Sequence, residues 1–196
     1  LLQYYITNIS LKKTDGSILT IPQDQSYFLI KESDPASREI SLNIPEGKYE
    51  SVSFVLGVDS LRNTKPIAQR TGVLDPATGG AGMYWSWNSG YIFFKMDGTS
   101  PAIPAMGGVF QYHVGGFGGY SSPQPNNLRT ITLDLTTRGT PKVKAAKSTN
   151  IHLMVDVLKA LNGSTNMSFA TTAMIHSAAP GIPIANNYIS MFTHDH

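Results

Sequence analysis

Five histidines and two tryptophans carry the most distinctive chemistry of this chain, and no cysteine accompanies them. Without Cys there is no disulfide, no thiol nucleophile and no thiolate ligand, so a metal would rest on imidazole, carboxylate or thioether donors. His113 stands in Tyr112-His113-Val114-Gly115-Gly116, His152 in Ile151-His152-Leu153, and His176 in Met174-Ile175-His176-Ser177. In His194-Asp195-His196 an extended chain projects both rings to one side. A lone strand histidine is ordinarily a hydrogen-bonded structural residue, and a mobile segment accounts for the terminal pair equally well. Seven Met, Met83 and Met191 among them, could supply soft ligands for Cu(I), although filling core gaps is their commoner role.

Both tryptophans fall in one aromatic run, Met83-Tyr84-Trp85-Ser86-Trp87-Asn88-Ser89-Gly90-Tyr91-Ile92-Phe93-Phe94. If one strand runs through it, Trp85 and Trp87 share a face with Tyr91 and Phe93. Such a run fills a core, or, where it is open to water, forms a glycan- or protein-binding platform of Trp85, Trp87, Tyr84 and Tyr91. The glycines of Gly115-Gly116-Phe117-Gly118-Gly119 lack the lysine and the strand-to-helix setting of a phosphate cradle. They read as a place where backbone packs closely. Neither a Gly-x-Ser-x-Gly elbow nor a His-Glu-x-x-His pair is present, so no hydrolytic enzyme is expected.

The elements that would position these residues have a period of two. Strands are expected at Tyr4 to Leu11, Ser26 to Ile30, Tyr91 to Met96, Val109 to Val114, Thr130 to Leu135 and Ile151 to Val157. Ile40, Leu42 and Ile44 alternate with Ser41 and Asn43. A turn at Pro45-Glu46-Gly47 would join that strand in a hairpin to the one carrying Val52, Phe54, Leu56 and Val58. Further turns fall at Thr14-Asp15-Gly16, Asp97-Gly98 and Asn162-Gly163. Regularly spaced strands without helical periods predict an all-β, antiparallel β-sandwich, with one short helix from Ile184 to Phe192. Two long irregular stretches, Leu61 to Gly82 and Gly115 to Asn127, are of the length that usually carries function or disorder.

Composition narrows the partners. The 196 residues fit a single domain spanning 1–196, and 14% charged residues with 18 Gly and 12 Pro disfavour a helical bundle. Fifteen Lys and Arg against 13 Asp and Glu leave a net charge of +2, too small for the basic field that nucleic acid requires. No apolar stretch approaches the roughly 18 residues of a membrane span. The opening Leu1-Leu2-Gln3-Tyr4-Tyr5-Ile6 reads as mid-strand, as if trimmed from a longer precursor.

A succession of motifs resembles the MbnP-like copper-binding protein family. It runs from Leu56-Gly57-Val58-Asp59-Ser60 through Thr71-Gly72-Val73-Leu74-Asp75-Pro76 and the double-tryptophan block to Tyr112-His113-Val114-Gly115-Gly116. The close, from Ile184-Ala185-Asn186-Asn187-Tyr188 to Met191-Phe192-Thr193-His194-Asp195-His196, is similar as well. The resemblance implies an exported, mostly β copper-handling protein, periplasmic or at the cell surface, with a lipid anchor ahead of Leu1 as one arrangement. It also implies a di-haem peroxidase-like partner that converts a Trp to kynurenine. Indole nitrogen is only a donor and ligates poorly, whereas opening the ring frees an aromatic amine with a lone pair.

On that resemblance His113 is the first expected ligand, Trp85 or Trp87 the oxidised one, and His176 and His196 further partners. His194 falls where relatives often carry an aromatic. Relatives with Asn-His after the Gly-Val block contrast with Leu61-Arg62-Asn63-Thr64 here, which implies a two-coordinate or water-completed site. A further N-terminal strand in relatives implies an open sheet edge at Tyr4 to Asn8. Because neutral imidazole is the donor, binding is expected to weaken below about pH 6.

Overall fold

The computed structural model describes residues 1–85, 90–104 and 106–196. Among the described residues twelve strands form: β1 (Leu2–Lys13), β2 (Ile18–Thr20), β3 (Tyr27–Lys31), β4 (Gly47–Leu56), β5 (Tyr84–Trp85), β6 (Gly90–Thr99), β7 (Val109–Gly115), β8 (Arg129–Asp134), β9 (Lys142–Val143), β10 (Leu153–Val155), β11 (Met174–Ile175) and β12 (Phe192–His194). A large curled sheet runs β11-β7-β6-β1-β4-β8, with β2 and β3 also on β1, β5 on β6 and β9 on β4. β10 and β12 pair separately. The all-β architecture matches the alternation in the sequence. One pairing, β11 on β7, is parallel.

β1 generates the curl. On one edge it pairs with β3 and then β2; on the other it pairs with β6 through Tyr4 and with β4 from Ile6 onward. Its register against β4 shifts between Thr7 and Ser10, where Asn8 takes φ +52°. Such a bulge bends a strand and sharpens its twist. The open edge expected at Tyr4 to Asn8 is therefore absent, since partners line both sides of that stretch. The hairpin expected from Ile40 to Ile44 is absent too. β1 and β8 already occupy the two edges of β4, so Ile40, Leu42 and Ile44 pack against the core outside any ladder.

Both faces of the sheet are covered. On one, a continuous helical run from 179 to 190, centred on α2 (Ile182–Asn187), brings the ring of Tyr188 against Phe94, while Phe192 meets Tyr4 and Phe54 edge-on. On the other lies the stretch from 61 to 82. Tyr5 Oη donates to the Val73 carbonyl at 2.8 Å and Tyr91 Oη to that of Leu74 at 2.5 Å. The fully buried Asn63 accepts the Tyr91 N–H and donates to the carbonyls of Val58 and Asp59. This long segment is thus a structural cover, tied down by tyrosine hydroxyls and one buried amide.

Candidate metal centre

The centre lies at the β7 end of the sheet, on the face opposite α2. Along β7 the buried Phe110, Tyr112 and Val114 alternate with half-buried Gln111 and His113, so His113 belongs to the second face. β6 supplies two neighbours there: Lys95 sits directly opposite His113, and Asp97 opposite Gln111. Asp97-Gly98 is not a turn but part of β6, and this places a carboxylate diagonally across from the imidazole. Asp97 Oδ1 is 2.8 Å from His113 Nε2. The Lys95 ammonium lies 3.9 Å from the other Asp97 oxygen and donates to the Gly82 carbonyl at 3.1 Å.

β11 brings the second imidazole. Ile175 registers with Tyr112, which carries His176 alongside His113; the rings stack at 4.7 Å between centroids, 26° from parallel. Asn127 holds the pieces together, donating from Nδ2 to the carbonyls of Gly115 (2.7 Å) and Ala178 (2.8 Å). The glycine-rich loop serves the same junction. Gly116, at φ +112°, leaves only 2.6 Å between an imagined Cβ and that of Ala178, so a larger residue would push the His176 segment off the sheet.

Trp85 completes the neighbourhood. It is 2% exposed, and its benzo ring lies over Gly115, 2.8 Å from where a Cβ would stand. Gly115 is two residues from His113 and, by strand alternation, on the same face of β7, so the indole covers the next position along the face that His113 occupies. The aromatic run does not form one strand: Trp85 pairs with Gly90 and Tyr84 with Tyr91, a reversal that puts Tyr84, not Trp85, beside Tyr91. With Trp85 and Tyr91 both buried, these two rings offer no open platform. Trp87 lies outside the described residues.

The electrostatics suit a neutral ligand. Burial pushes the His113 pKa below its ordinary value, outweighing the opposing pull of Asp97. If Nε2–H is donated to the carboxylate, Nδ1 keeps its lone pair, the arrangement in which a carboxylate orients a metal-binding imidazole. An imidazole lone pair lies in the plane of its ring, so sharing one ion requires the two rings, stacked at 4.7 Å and 26° from parallel, to turn their nitrogens toward a common point. The donor chemistry of the pair fits copper.

His196 does not join this pair. It lies beyond β12, where its Nδ1 is 2.9 Å from Asp195 Oδ2 and its ring 4.8 Å from that of His152. His152, Asp195 and His196 form the one group of three carboxylate and imidazole donors among the described residues, with ligand atoms within 4.8 Å of one another. His194 stands apart from them, its ring nitrogens buried without a hydrogen-bond partner and within electrostatic reach of Asp134. The alternation that pairs His194 with His196 fails because the strand is irregular after His194. Sequence reasoning also missed Asp97; its only signal is the spacing Lys95-x-Asp97 continuing the outward face of β6.

A curled, sheet-dominated fold with two imidazoles stacked at its edge, one of them braced by a carboxylate, defines a β protein with a histidine-based candidate ligand site. The sequence model of the MbnP family matches residues 1–178, and the chain belongs to that family. Among solved structures it is similar to MbnP from Methylosinus trichosporium, with a TM-score of 0.52 and 17% identity over 91% of this chain and 69% of that one; at this identity the likeness shows the fold. No curated protein matches the chain. No helix among the described residues is long and apolar enough to cross a membrane.

Proposed function

We propose that this chain is a non-catalytic, exported copper-handling protein that holds copper at His113 and His176. A tryptophan-derived amine, from Trp85 or Trp87, is the third ligand. The observation that carries the reading is the 4.7 Å stack of His113 on His176, with Asp97 bonded to the first ring and the Trp85 indole seated two residues along the same strand. Family membership supports the copper-related role.

In this reading a di-haem peroxidase-like partner oxidises the tryptophan, and the chain made without that partner keeps intact indoles and binds copper weakly. The intact mass of protein from its native host tests that step, because kynurenine formation exchanges one carbon for one oxygen. The ligand set is tested by titrating Cu(I) into that native protein and into its His113→Ala and His176→Ala variants. Each substitution is expected to weaken binding by at least about tenfold. Equal affinity in all three proteins would remove the proposed centre.

A further inference from the structure

We propose that His152, Asp195 and His196 form a second metal site, for a divalent transition-metal ion, separate from the His113–His176 pair. The backbone builds it. The β10–β12 ladder registers Leu153 with His194, and one step further the pairing becomes irregular. His152 donates its N–H to the His196 carbonyl at 2.7 Å, while its own carbonyl accepts from Asp195 N–H at 2.9 Å. Two residues of one strand thus oppose a single residue of the other, the arrangement of a β-bulge, which re-aims side chains that would otherwise point to opposite faces.

The side chains converge accordingly. Asp195 Oδ2 is 2.9 Å from His196 Nδ1 and 3.4 Å from His152 Nδ1, and the two rings stand 4.8 Å apart at 56°. The three ligand atoms lie within 4.8 Å of one another. Two metal–ligand bonds of about 2 Å span about 4 Å, so an ion can join all three with small side-chain rotations. Among the described residues, the ion-pair partners of Asp195 are these two imidazoles; no Lys or Arg competes for its charge.

Two imidazole nitrogens and one carboxylate oxygen suit Ni(II), Cu(II) or Zn(II). Ca(II) and Mg(II) prefer all-oxygen sets. The His152 and His196 side chains are 68% and 75% exposed, which leaves open positions for water and makes the bound ion exchangeable. The site is therefore distinct in chemistry as well as in place from the sheltered His113, whose side chain is 13% exposed.

Nickel(II) alone, added to the untagged chain, tests the site. In NMR spectra the ring signals of His152 and His196 are expected to broaden before those of His113 and His176. His152→Gln and Asp195→Asn, both at the surface, are each expected to lower nickel affinity by at least about tenfold, while Cu(I) affinity stays unchanged in His152→Gln. Equal nickel affinity in wild type and both variants, or broadening that begins at another histidine, would overturn the site. A parallel loss of Cu(I) affinity in His152→Gln would overturn its separateness. Failure of the His113–His176 reading would leave the nickel result untouched.

Discussion

Asp97 Oδ1 stands 2.8 Å from His113 Nε2 although the residue directly opposite His113 is Lys95. The carboxylate reaches diagonally along the sheet face to brace the imidazole, and the ammonium beside it is held by the same carboxylate and by the Gly82 carbonyl. Burial holds the His113 pKa below the ordinary value of 6.5, against the pull of Asp97. Asp97→Asn is therefore expected to lower the titration midpoint of His113 further, as followed by NMR of the ring, and to weaken Cu(I) binding by about 10- to 100-fold. A midpoint that rises would contradict this balance.

The same shift has a consequence for stability. Since the folded state resists protonation of His113, the unfolded chain takes up that proton first as pH falls. This contribution is present above about pH 6.5 and declines on acidification through the lowered folded value. His113→Phe, which cannot titrate, is expected to flatten that part of the pH–stability profile measured by denaturant melts.

Gly115 is where the indole meets the sheet. A Cβ there would stand 2.4 Å from the Tyr91 carbonyl oxygen and 2.8 Å from Trp85 Cζ3, and neither a ladder carbonyl nor a buried indole can yield cheaply. Gly115→Ala is expected to destabilise the fold by about 1–3 kcal/mol, read as a lowered Tm. An unchanged Tm would mean that Trp85 is not seated there.

His194 is half-buried, but its two ring nitrogens are shielded from water without a hydrogen-bond partner, and an unsatisfied buried polar group costs about 1–3 kcal/mol. His194→Phe, of similar shape and apolar, is expected to raise Tm by several degrees, given that 1 kcal/mol corresponds to about 2–4 °C in a protein of this size. A loss of stability would mean that the ring has a partner in solution.

At the alkaline end, burial pushes Tyr4 and Tyr91 up to about 12. The unfolded chain releases these phenolic protons at about 10, so their contribution is full below pH 10 and is lost as pH rises toward 12. Tyr91→Phe leaves the Leu74 carbonyl without its 2.5 Å partner and is expected to cost about 1 kcal/mol at neutral pH, while reducing the alkaline loss. Melts at pH 7 and pH 11 measure both effects.

Local pattern alone determined the strand-rich character of this chain, its short helix near 184, and the family to which its motifs point. Side-chain alternation is a property of a few neighbouring residues, and it located β1, β3, β6, β7 and β8 without reference to the rest of the molecule. The resemblance, not the alternation, put His113 first among the expected ligands, with His176 and His196 behind it. What alternation could not determine was which edges would be free: Ile40 to Ile44 alternates as well as any strand yet pairs with nothing, because β4 had already been claimed on both sides. Nor could it place side chains across strands. Asp97 behind His113, Trp85 over Gly115, and His196 beside His152 instead of His113 all depend on register, a reversal at β5–β6 and a bulge after β12. These are long-range pairings, decided only when the whole sheet closes and every buried backbone group finds its partner.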